Sequence, residues 1–98
     1  MAVNDIGVTY NSSLANGSYQ TITPSAGEAY MIHTICASGS IEVYYGSSGF
    51  GYTLLTSKSG SPYALENLKY FAIPARQIAI KNVSGSAITL YVAYSQVN

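Results

Sequence analysis

Charge is what this chain has least of. Four Lys/Arg and four Asp/Glu make up 8% of its 98 residues, where an average soluble domain carries about 25%. The four basic residues, Lys58, Lys69, Arg76 and Lys81, are scattered and form no phosphate-binding patch, so no nucleic-acid partner is expected. A single cysteine, Cys36, excludes an internal disulfide. No apolar run approaches the ~18 residues that a membrane-spanning helix requires, and no membrane partner is expected. The first six residues lack the basic and apolar regions of a secretion signal, so the expectation is a protein made and kept in a cytoplasm. Three Asn-x-Ser triplets, at Asn11, Asn16 and Asn82, then read as ordinary loop composition.

Catalytic pairings are equally scarce. His33 and Cys36 are the one couple that suggests a nucleophile and its base. They stand three apart on an expected strand, and an odd offset sends side chains to opposite faces unless a bulge intervenes. The structural reading is a buried thiol and a hydrogen-bonded or interface histidine. Gly46 to Gly51 is glycine-rich, but it lacks the Lys-Ser/Thr of a phosphate loop and no helix follows it. It reads as a strand connection whose Phe50 packs back or touches a partner. The acids Asp5, Glu28, Glu42 and Glu66 are isolated. One His, one Cys and four scattered acids make a poor metal site, so no catalytic residue, metal or cofactor is expected.

What the chain does have is tyrosine, ten of them, within a composition that is 48% hydrophobic at a formal net charge of zero. One small core does not hide that much apolar surface. Solubility without net charge is precarious, which favours life in an assembly. A tyrosine offers a large ring with a polar tip and is enriched at protein interfaces.

Period-2 alternation dominates the pattern. Ile88, Leu90, Val92 and Tyr94 share one face, with Thr89, Tyr91 and Ala93 on the other. Ile41, Val43 and Tyr45 oppose Glu42 and Tyr44, and Ile78 and Ile80 point together with Lys81 opposite. The run 29–37 is apolar on both faces: Tyr30, Ile32, Thr34 and Cys36 against Met31, His33 and Ile35. Such a strand is central, or a neighbour covers its outer face. Gly, Pro, Ser and Asn clusters punctuate these runs. The expected strands are 6–10, 18–23, 29–37, 41–45, 52–57, 68–73, 77–83 and 87–95. Residues 63–71 alone have some helical character. The segments starting at Ser38-Gly39-Ser40 and Ser84-Gly85-Ser86 echo each other and read as two similar hairpins.

This pattern predicts an all-β protein, a single antiparallel β-sandwich of seven or eight short strands of jelly-roll type. Residues 1–17 form an N-terminal arm or edge segment, and 18–98 the sandwich. Tyr45 and Tyr94 belong to the core. Tyr44 and Tyr91 fall on outward faces, either because aromatics suit strands or because they form a subunit surface. With Phe50, and with Met31 and His33 from the doubly apolar strand, they are the expected partner interface.

The stretch from Tyr70 to Val92, with Ile80-Lys-Asn-Val-Ser-Gly-Ser-Ala87 at its centre, resembles a pattern in small virion proteins of tailed bacteriophages. The segment Ser40-Ile-Glu-Val-Tyr-Tyr-Gly46 has the same character, and size and composition are similar to those of capsid decoration (cement) proteins. The resemblance implies a jelly-roll-like homo-oligomer, commonly a trimer, on the capsid exterior. Its partner would be the major capsid protein, which it braces against internal pressure. It fixes a fold signature and transfers no functional residue. The other reading is a carbohydrate- or receptor-binding module of a phage fibre, using Tyr44, Tyr91 and Phe50 as stacking rings, or another head or tail component.

Overall fold

The computed structural model describes residues 5–47, 51–58, 63–66 and 68–98. Phe50, expected in the partner interface, lies outside them. Nine strands occur among the described residues: β1 (Ile6–Leu14), β2 (Tyr19–Ile22), β3 (Tyr30–Ala37), β4 (Ile41–Ser47), β5 (Gly51–Lys58), β6 (Tyr63–Leu65), β7 (Tyr70–Ala72), β8 (Gln77–Asn82) and β9 (Ile88–Gln96). The stretch 63–71, where some helical character was expected, forms the two short strands β6 and β7. All pairings are antiparallel, and the strands form two packed sheets. Sheet A has the order β1-β9-β3-β6, with β7 also paired to β3, and sheet B the order β2-β8-β4-β5.

The two orders are one order seen twice. β1 runs on into β2, β9 follows β8, β3 runs into β4, and β5 into β6, and each pair steps from one sheet to the other. Four antiparallel segments thus bend together around one corner, which makes this a jelly-roll sandwich. Residues 6–14 form its β1 edge.

The Ser-Gly-Ser echo finds a different explanation here from the expected pair of hairpins. β3 and β4 are not paired with each other, and neither are β8 and β9. Both echo segments are sheet-to-sheet crossovers, and they lie side by side. Ser38 N donates to Thr89 O at 3.0 Å and Val83 N to Ser40 O at 3.1 Å. The approach is close enough that a Cβ on Gly39 would sit 2.8 Å from Ile88 Cγ2 and 2.9 Å from Ser84 Cβ. Glycine is needed there because two backbones meet.

The inner faces supply a core rich in isoleucine. Ile32, Ile35, Leu90 and Val92 from sheet A meet Ile22, Ile41, Val43, Ile78 and Ile80 from sheet B, with Leu14 and Ile88 at the corner. Tyr30 and Tyr94 stack at 4.8 Å against one side of this cluster, and Tyr45 packs on it as well. Branched side chains at every second position suit a pleated surface buried on one side.

One strand breaks its own alternation. On β3, Ile32 pairs with Tyr94 and the next paired residue, Thr34, with Ala93, so His33 is an extra residue, a β-bulge. Past it the faces exchange. Ile35 joins Ile32 in the core, and Thr34 and Cys36 turn out beside Met31. Plain alternation groups Ile35 with Met31 and His33, and the bulge corrects that reading. The strand is central, with β9 on one side and β6 and β7 on the other.

Candidate functional site

With both inner faces committed to the core, the sandwich meets its surroundings through two outer faces of different chemistry. On sheet A the outward register positions are Ile6, Val8 and Tyr10 of β1, Tyr91 and Ala93 of β9, Met31, Thr34 and Cys36 of β3, and Phe71 of β7. None of them is Asp, Glu, Lys or Arg. Ile6 is 66% exposed, Tyr10 63%, Phe71 48%, Val8 46% and Tyr91 41%. Tyr10 and Tyr91 face each other across the ladder with ring centroids 6.5 Å apart, edge to face. A contiguous apolar surface of this kind marks an interaction site.

His33 belongs to this face. Its Nε2 lies 2.7 Å from Ser95 Oγ, and Ser95 pairs with Met31 on the outward side. The bulge that sequence reasoning named as the condition for a His33–Cys36 couple is present, but the imidazole bonds Ser95. This serine–histidine contact matches a nucleophile and base in composition only. Ser95 is buried, and among the described residues no three of His, Cys, Asp and Glu gather in one place. Two concavities lie elsewhere. A cleft of about 180 Å³ is lined by Tyr45, Leu55, Lys69, Tyr70, Phe71 and Ile78, and a crevice of about 370 Å³ by the serines of the corner crossovers.

Sheet B carries the tyrosines that sheet A does not use. Tyr19 of β2, Tyr44 of β4 and Tyr52 of β5 lean together over its outer face. Tyr19 meets Tyr44 edge to face at 6.0 Å and lies near-parallel to Tyr52 at 6.2 Å. Ala79 pairs with Thr21 and Tyr44 on this outward side, yet it is only 1% exposed. Gly46 lies opposite Tyr52, with φ of 149°, and a Cβ on it would run into the Gly51 carbonyl. Only glycine fits there, and no side chain at that position obstructs the ring.

Polar groups frame the rings. Lys81 Nζ sits 5.7 Å from the Tyr19 centroid, a cation–π placement. Tyr44 donates its hydroxyl to Glu42 Oε1 at 2.6 Å, and Tyr52 reaches Gln77 Oε1 at 3.5 Å. The result is a half-buried aromatic platform with one acid, one base and one amide around it.

The Glu42 hydrogen bond, then burial, the carboxylate charge and Tyr19 push the Tyr44 phenol up to about 12 from 10.0. Burial first, and then Glu28, which accepts its hydroxyl at 3.0 Å, raise Tyr30 as well. Between pH 10 and 12 the folded chain therefore keeps a proton that the unfolded chain has lost. The stabilisation is fully present below pH 10 and is lost as pH rises through the folded value. A phenolate absorbance titration is expected to show Tyr44 ionising late. Glu42→Ala should return it towards 10, and an unchanged curve would refute the pairing.

The expected interface residues thus divide between the two sides. Met31, His33 and Tyr91 come together on sheet A, and Tyr44 lies on the opposite face of the sandwich. Sequence reasoning did not single out Tyr19, Tyr52, Ile6, Val8, Tyr10 or Phe71. Their outward positions were readable from alternation, but their neighbours depend on strand order.

No family profile and no curated protein matches the chain. Among solved structures, it is similar to a de novo designed double-stranded β-helix determined by NMR, with 20% identity over 91% of this chain and 99% of that one and a TM-score of 0.45.

Proposed function

We propose that the chain is a non-enzymatic structural protein of a virion, a decoration protein that binds the outer surface of a capsid shell and stabilises it. The observation that carries this reading is the platform of Tyr19, Tyr44 and Tyr52 between Glu42 and Lys81. Aromatic rings with a polar rim are the composition of surfaces that dock onto a separately folded partner. The partner on this reading is the major capsid protein, as the resemblance to virion proteins of tailed bacteriophages implies. The mechanism is multivalent: each copy contributes a modest contact, and the symmetry of the shell multiplies it.

Co-sedimentation with expanded capsids of the parent phage tests this. Binding is expected, and Tyr19→Ala should weaken it about tenfold, close to 1.4 kcal/mol, with the circular dichroism spectrum unchanged. Failure to bind any shell would remove the decoration role. The exposed rings beside Glu42 and Gln77 favour a second reading, a saccharide platform on a fibre, because sugar rings stack on aromatics while carboxylates and amides bond hydroxyls. A glycan array with hits on the wild-type protein but none on Tyr19→Ala would favour that reading.

A further inference from the structure

We infer that the outer face of sheet A is covered by the same face of a second copy of this chain, in a two-fold dimer packed sheet on sheet. Three observations select this occupant. The first is charge. The face presents no ionised side chain among its outward positions, whereas the platform on sheet B carries both Glu42 and Lys81. A face without charge is complementary to itself, and an isologous contact demands self-complementarity. Interfaces between permanently associated copies are the more apolar kind.

The second is area. The exposed fractions of Ile6, Val8, Tyr10, Phe71 and Tyr91 leave roughly 600 Å² of side chain open. The half-buried positions between them bring the face towards the about 800 Å² that each partner contributes to a standard interface.

The third is relief. Val8, Tyr10 and Tyr91 form a ridge of large side chains along β1 and β9, and Thr34, Cys36 and Ala93 form a lower floor beside it. A two-fold axis in the plane between the two faces, parallel to the strands, would lay the ridge of each copy on the floor of the other. The sheets would then stand at the about 10 Å spacing of stacked sheets. A three-fold ring would join this face to a different surface and leave the match unused.

The inference stands apart from the decoration role. A monomer that binds shells overturns it and leaves that role intact, and a dimer that binds none does the reverse. Cys36, the one thiol of the chain, lies on the face and reports its cover. Light scattering on the eluting wild-type protein is expected to give the mass of two chains. Val8→Glu should give one chain, and its Cys36 should react with a thiol-specific disulfide reagent at least about tenfold faster. Tyr19→Glu, on the opposite sheet, should keep the two-chain mass. If circular dichroism shows that Val8→Glu does not fold, Tyr91→Lys takes its place. A one-chain or three-chain mass for the wild type overturns the inference, as does a Val8→Glu dimer with a slow thiol.

Discussion

Asn82→Ala is expected to lower the unfolding free energy by roughly 3–4 kcal/mol, which for a domain of this size moves the thermal midpoint down by about 12–30 °C. Asn82 has no exposed surface, and its side chain serves three segments at the jelly-roll corner. Its Nδ2 donates to Leu14 O at 2.8 Å and to Ser86 O at 2.7 Å. Its Oδ1 accepts from Ser84 N at 2.9 Å and Ser84 Oγ at 2.7 Å. The backbone joins in, with Gly17 N donating to Asn82 O and Asn82 N to Ser18 O. Alanine removes all four side-chain bonds and strands a buried carbonyl of Leu14, and an unmet buried polar group costs about 1–3 kcal/mol. Asn82→Asp keeps the shape but loses both donors and adds a charge, so it should be at least as damaging. Ser84→Ala loses only part of the network and should cost about 1 kcal/mol. Thermal unfolding followed by circular dichroism orders the three. Equal midpoints for wild type and Asn82→Ala would show that the corner is held by packing alone.

The same residue shows where sequence reasoning reaches its limit. Asn82 sits in an Asn-x-Ser triplet and reads as loop composition, because nothing local tells a polar corner staple from a turn residue. Its role depends on the crossovers at 14–18 and 37–41 arriving beside it, and strand order is not written in any one strand. The Ser-Gly-Ser echo fails as a hairpin signal for the same reason: the turn residues are legible, and the partner of each strand is not. Where a single strand carries the information, sequence and structure agree. Ile41 and Val43, Ile78 and Ile80, and Ile88, Leu90 and Val92 all reach the core on the faces that alternation assigns them. Tyr45 and Tyr94 pack against that cluster. The outer faces are intermediate: each outward side chain is readable, but its assembly into an uncharged sheet A and a tyrosine-bearing sheet B is not.

That division gives the fold its functional consequence. A sandwich with both inner faces closed over one core has no deep cavity to offer, so recognition falls to its outer faces. A low charge content would ordinarily leave both sides adhesive. Here the eight charges do not fall evenly, and those on outward strand positions frame the sheet B rings. The two sides are consequently suited to different partners, one with polar contacts to make and one with none.

Ile35→Ala should destabilise the protein by about 3 kcal/mol, whereas Thr34→Ala should change stability by less than about 0.5 kcal/mol. Counting by twos from Ile32 gives the opposite ranking, since it places Thr34 inside and Ile35 outside. The His33 bulge reverses the two, and Ile35 is fully buried while Thr34 is partly exposed. Truncating a buried isoleucine loses its transfer free energy and leaves a cavity that a close-packed core fills only in part. Deleting His33 realigns the strand by one residue and should turn Ile35 outward and Thr34 and Cys36 inward, so that variant is expected to unfold or repack. Urea denaturation of the two alanine variants decides the matter. Comparable losses at both positions, or a larger loss at Thr34, would mean that β3 runs without its bulge. In that case the charge-free outer face, which needs Thr34, Cys36 and Met31 on one side, would not exist.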